Sequence, residues 1–91
     1  MKKHPIKVEG FDGTLEELAQ KVGRMRYDKV AEFFGHLERE IERQSEGDLK
    51  RGRVQLSELL KKGAMKLIDL KKHFEKIMKL CEPYMKDELF H

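Results

Sequence analysis

The sequence predicts an all-α protein: an antiparallel helical hairpin in which a short helix and a bent second helix lie against one long helix. Three observations predict it. Leu56, Leu60, Gly63, Leu67, Leu70, Phe74, Ile77 and Cys81 alternate spacings of four and three, a heptad seam sustained over about four repeats. Val30, Phe34, Leu37 and Ile41 repeat the same spacing in the preceding segment, with Phe33 widening the stripe. Between the two runs lies SEGDLKRGR, Ser45 to Arg53, where the apolar stripe stops and two glycines appear.

Residues 1–13 read as an extended arm, because Pro5 biases His4 away from helix and Asp12-Gly13 is a turn signal. Thr14 starts the first helix: T-L-E-E is a capping box, in which the Thr14 hydroxyl and the Glu17 carboxylate each accept from the other residue's backbone N–H. Leu15, Leu18, Ala19 and Val22 make one apolar face, and Gly23 stops it. Asp28 is the N-cap residue type expected to open the second helix. Gly47 followed by Asp48 predicts the hairpin turn, a terminating glycine and then a fresh N-cap, which leaves Gly52 in the first turn of the long helix. That placement sets Lys50, Arg51 and Arg53 at a helix start, where the dipole prefers acids. Pro83 ends the long helix near Cys81–Glu82, so the hairpin domain covers 14–82 and residues 83–91 form a tail.

Apolar residues occupy nearly half of the long helix: Leu59 and Ile77 mark one edge, Leu56, Leu60, Leu67, Leu70, Phe74 and Met78 fill the middle, and Ala64 and Ile68 extend it. One antiparallel neighbour covers a narrower seam. The surplus predicts either a first helix folded back as a third layer or a homodimer completing a four-helix-type bundle. The interaction seam is therefore assigned to Leu56, Leu60, Leu67, Leu70, Phe74, Ile77 and Met78. Charge agrees with the hairpin, since residues 28–46 carry six acids against three bases and residues 48–81 carry ten bases against four acids. Opposite signs favour this pairing. The arm residues Ile6, Val8 and Phe11 offer a second contact, and Met25, Met65, Met78 and Met85 suit adaptable protein surfaces as well as gaps in a core.

The segment LEELAQKVGRMRYDKVAEFFGHL, Leu15 to Leu37, resembles a helix-turn-helix motif: two leucines three apart, Ala19, then Gly23 opening a turn into a second amphipathic helix. The resemblance covers about a quarter of the chain and would imply DNA contact through the second helix. It departs from the family pattern at Arg24, where an apolar residue usually follows the glycine, and at Lys29, where one is expected six residues on. Asp28, Glu32 and Glu38 on the second helix also disfavour a phosphate-lined groove. A bend between bundle helices is the preferred reading.

A basic surface is the other candidate for nucleic acid. Lys61, Lys62, Lys66, Lys72, Lys76 and Lys79 share the outer arc of the long helix, and Lys50, Arg51 and Arg53 decorate the turn. With Arg24 and Arg26 at the bend, the residues assigned to such contact are Arg24, Arg26, Lys50, Arg51, Arg53, Lys61 and Lys62. No aromatic is interleaved for base stacking, so a solvated lysine face is the plainer reading.

Enzymatic chemistry finds no motif. The four histidines fall in separate segments, and the one Glu-x-x-His spacing, Glu88 to His91, lies on the tail. Cys81 sits on the seam as a small hydrophobe, the seven glycines are scattered singly, and Ser45 and Ser57 have no triad-like company. No catalytic, cofactor-binding or metal residue is assigned, and no cofactor is expected. A lone cysteine and the lack of any apolar run of about 18 residues lead to the expectation of a cytoplasmic protein without a membrane span. The function expected from the sequence is a non-enzymatic protein-protein interaction module, a small self-associating adaptor or regulatory subunit; the alternative is a nucleic-acid-binding regulator.

Overall fold

The computed structural model describes residues 4–84. It is all-helical over that span: α1 (Leu15–Gly23), α2 (Tyr27–Lys50), α3 (Val54–Cys81) and a closing 3₁₀ turn (Glu82–Tyr84), with no strand among the described residues. The antiparallel packing of α2 on α3 holds the fold together. The arm from His4 to Gly10 is exposed along its length rather than laid across a helix.

The predicted capping box of α1 is present. Thr14 Oγ1 accepts from the Glu17 N–H at 3.1 Å, and Glu17 Oε1 accepts from the Thr14 N–H at 2.8 Å. Those bonds hold the Glu17 carboxyl below the ordinary range, the Thr14 backbone amide contributing most. α2 begins one residue ahead of Asp28, with Arg26 as its N-cap. Asp28 sits instead in the first turn, where its charge complements the helix dipole. It accepts a two-pronged ion pair from Arg26, Nε and Nη2 each at 2.7 Å, which lowers its pKa.

The hairpin turn lies five residues later than Gly47-Asp48. α2 runs unbroken through both residues to Lys50, and Gly52, at φ +80°, carries the chain out of the helix. The Arg53 N–H donates to the Asp48 carbonyl at 2.8 Å and the Gly52 N–H to the Leu49 carbonyl at 3.0 Å. That pair of bonds is the Schellman motif, which needs a left-handed residue where Gly52 stands. Gly47 has an ordinary helical backbone, and a glycine inside a helix is tolerated at about 1 kcal/mol. The later reversal also gives the turn's charges favourable places. Lys50 and Arg51 lie at the C-terminal end of α2, where the dipole favours cations. Asp48 is no N-cap but a buried anchor for the turn, 3.2 Å from Arg53 Nη1 and 3.5 Å from Arg51 Nη1.

The seam between the long helices also differs from the expected one. On α2 the buried residues are Val30, Ala31, Gly35, Glu38, Ser45 and Asp48, with Phe34 and Ile41 half-buried, so that of the expected stripe Leu37 and the widening Phe33 are the residues left exposed. On α3 the line facing α2 is Ser57, Leu60, Ala64, Leu67, Lys71, Phe74 and Met78. Of the expected heptad, Leu60, Gly63, Leu67, Phe74, Ile77 and Cys81 are half-buried, whereas Leu56 and Leu70 are exposed. At those two turns and at Gly63 the more buried neighbour is the next residue, Ser57, Lys71 and Ala64. Small residues explain the difference. Ala31, Ser45, Ser57 and Ala64 let the backbones approach, and the larger Leu56, Leu70, Phe33 and Leu37 are displaced to the flank. At Gly35 the missing side chain makes room for the Lys71 stem, whose Cε would lie 2.9 Å from a Cβ built there.

At the open end of the hairpin Phe74 anchors the aromatic packing, 5.4 Å from the Phe34 ring in an edge-on arrangement and 6.2 Å from Tyr27. The resulting molecule is a broad, thin slab, with extents of 52 × 30 × 14 Å. Its radius of gyration is 16.2 Å, against about 12 Å for a compact chain of this length.

Candidate interaction surface

At about 100° per residue, Val30, Phe33, Leu37 and Ile41 occupy one flank of the α2 seam, and Leu56, Leu59, Leu70 and Ile77 one flank of the α3 seam. Because the helices run antiparallel, these flanks turn to the same side of the hairpin. α1 approaches that side at one end only. Leu15, Leu18 and Val22 line a cleft of about 600 Å³ together with Tyr27, Val30, Phe33 and Phe74. No residue of α1 is buried, so it is a loose partial lid. Towards the turn the apolar side is open: Leu59 is 66% exposed, Leu56 44% and Leu70 38%. Half-buried Ile41, Leu60 and Leu67 form its floor.

The protein exposes 7903 Å², about 2,400 Å² more than the roughly 5,500 Å² of a compact monomer of this mass. The exposed arm accounts for part of that surplus and the open apolar side for another part. A standard protein interface takes about 800 Å² from each partner, about a third of that surplus.

The sequence-assigned seam residues divide between the two sides of this boundary. Leu60, Leu67, Phe74 and Met78 are half-buried against α2, whereas Leu56 and Leu70 stand on the open flank and Ile77 at its edge. Leu59, Phe33 and Leu37 belong to the surface and were outside the assigned set. The signal for them was the width of the apolar arc, beyond what one neighbour covers.

The opposite side of the hairpin is polar. Glu38 is shielded there and its carboxyl is pushed up, chiefly by hydrogen bonding to the Glu42 carboxyl, then by burial and by the Glu42 charge. Ion pairs run along the helices, as in Lys29–Glu32, Arg43–Glu40 and Lys71–Glu75. Among the described residues no α3 lysine bridges to an α2 carboxylate, so the opposite charges of the two helices act through their fields and not through paired contacts. Lys61, Lys62, Lys66, Lys72, Lys76 and Lys79 are all exposed and have no acidic partner among the described residues.

The residues assigned to nucleic-acid contact fall into separate groups. Arg24 and Arg26 stand at the bend, and Arg26 is engaged by Asp28. Lys50, Arg51 and Arg53 stand at the turn, about 36 Å away along the 24 residues of α2, with Arg51 and Arg53 on Asp48. Lys61 and Lys62 are exposed two turns into α3.

Among the described residues no three His, Cys, Asp or Glu side chains gather as a metal-holding group. His36 lies between Glu32, 3.6 Å from Nε2, and Arg39, 2.8 Å from Nδ1, on an exposed helix face. Ser45 and Ser57 are buried and bonded to each other, which commits their hydroxyls to joining the helices. Among the described residues no helix is long and apolar enough to cross a membrane. Comparison of the chain with protein families, curated proteins and solved structures returned no match.

Proposed function

We propose that the protein is a non-enzymatic helical interaction module that self-associates through the open apolar side of its hairpin. One observation carries this reading: the hairpin presents Leu56, Leu59, Leu70 and Leu37 exposed on one side, with no second layer over them among the described residues. Domains are built from at least two packed layers, because an apolar helix face must be buried against something. A second hairpin supplies that layer and makes a four-helix bundle. Sedimentation equilibrium at micromolar concentration tests it. A species of about twice the 10.8 kDa chain is expected, and a monomer alone overturns the reading.

The unpartnered lysines of α3 support a second reading, contact with nucleic-acid phosphates along Lys61, Lys62, Lys66, Lys72, Lys76 and Lys79. A mobility-shift assay at ~50 mM salt, where phosphate attraction is strong, decides it. Binding that falls steeply with added salt and is lost on joint Lys61→Glu and Lys62→Glu substitution supports this reading, and no shift at low salt removes it.

A further inference from the structure

Gly63 is the least explained residue of α3. It lies well inside a helix of 28 residues, where glycine is less favourable than alanine, and its backbone is ordinary. Nothing within the chain needs the missing side chain, for a Cβ built there meets no atom within 4 Å. Gly35 differs, with the Lys71 stem laid across it. Gly63 belongs to the Leu56–Leu70–Ile77 flank and lies near the middle of the part of α3 that α1 leaves uncovered, Val54 to Leu70.

The position of α1 restricts how a second copy can dock. α1 stands over the apolar side at the Tyr27/Phe74 end only. If two hairpins met with their turns at the same end, each α1 would meet the other in the interface. If they met with turns at opposite ends, the two uncovered stretches would face each other, and each turn would reach towards the partner's α1. The twofold axis would then cross α3 near its uncovered midpoint. We infer that the partner of this surface is a second copy of the chain, docked with α3 antiparallel to the partner's α3 and crossing at Gly63, where the absent side chain lets the two backbones close. The inference rests on the self-association reading. The surplus exposed area exceeds the roughly 800 Å² that such an interface takes from each copy. Lys61, Lys72, Lys76 and Lys79 lie on arcs turned away from this flank, whereas Lys66, seven residues from Leu59, borders it.

Cys81, the lone cysteine, is a native reporter of this geometry. From Gly63 to Cys81 α3 runs about 27 Å, so antiparallel helices crossing at Gly63 hold the two Cys81 Cα atoms about 54 Å apart. Pulsed dipolar spectroscopy on the protein spin-labelled at Cys81 should return a distance near that value. A dimer with a separation below about 30 Å, less than one α3 length, overturns the docking while leaving self-association standing. A sample that sediments as a monomer overturns both. Two substitutions report on the crossing itself. Gly63→Ala should raise the melting temperature of dilute monomer yet weaken association, and Gly63→Leu should weaken association about tenfold or more. Dimerisation unchanged in both variants refutes the crossing at Gly63.

Discussion

Ser45 Oγ donates to the Ser57 carbonyl oxygen at 2.7 Å and lies 2.9 Å from the Ser57 hydroxyl, joining α2 to α3 across a buried point of the hairpin. The contact sets the register between the helices. Both residues are small, both are buried, and a hydrogen bond of this kind satisfies polar atoms that would otherwise be costly to shield.

The first prediction follows from that bond. Ser45→Ala should lower the unfolding free energy by about 1 kcal/mol, because the Ser57 hydroxyl loses its partner in a shielded place. Ser45→Leu should cost about 1–3 kcal/mol by forcing the helices apart. Urea denaturation followed by circular dichroism measures both; equal stability of Ser45→Ala and the parent would show that the bond is not a clamp.

Gly47 and Gly52 should respond with opposite signs. Gly52→Ala places a Cβ in the left-handed region and should destabilise the fold by about 1–2 kcal/mol. Gly47→Ala replaces a glycine within α2 and should stabilise it by up to about 1 kcal/mol. The new methyl meets only the mobile end of Arg51, at 3.1 Å. Thermal melts of the two variants would locate the turn; stabilisation by Gly52→Ala would contradict the Schellman geometry.

Glu38 should make the hairpin less stable as its carboxyl ionises. Its folded pKa lies above the ordinary value because Glu42 and the shielded site disfavour its charge. A raised pKa means that the folded state holds the proton more tightly, so this contribution is fully present below the unfolded pKa and is lost as pH rises through the folded one. Glu38→Gln should therefore raise the melting temperature at pH 7, with the gain shrinking as the pH falls below the usual glutamate range. Asp28 and Glu17 act in the other direction. Their lowered pKa values give stability that is present above the unfolded pKa and is lost as acid titrates them. A melting-temperature gain for Glu38→Gln that does not depend on pH would separate the effect from ionisation.

The open apolar side should be dispensable for the monomer. Leu59 is 66% exposed, so Leu59→Lys should change the stability of dilute protein by no more than about 0.5 kcal/mol. The same substitution should abolish association at micromolar concentration by placing a charge in the interface. Analytical ultracentrifugation beside a thermal melt reads both quantities. Loss of folding in Leu59→Lys would show that the residue is part of the core.

What the sequence by itself determined is local. The Thr14–Glu17 capping box, the end of α1 at Gly23, the three helices and their antiparallel pairing are written in residue types and spacings, because caps and amphipathic periods act within a turn or two of the chain. The excess width of the apolar arc on α3 was equally legible, and it pointed to the surface found between Leu56 and Leu70. Only the tertiary structure decided which edge of that arc meets α2. A heptad pattern weighted by hydrophobicity favours Leu56 and Leu70, but close helix packing rewards small residues, so Ser57, bonded to Ser45, and Ala64 took the inner line. The turn was decided in the same way. Two glycines were available, and Gly52 became the turn because the register set by Ser45–Ser57 and Asp48–Arg53 places the reversal there. A helix's own periodicity shows how wide its apolar face is; its neighbour's shape selects the part that is buried.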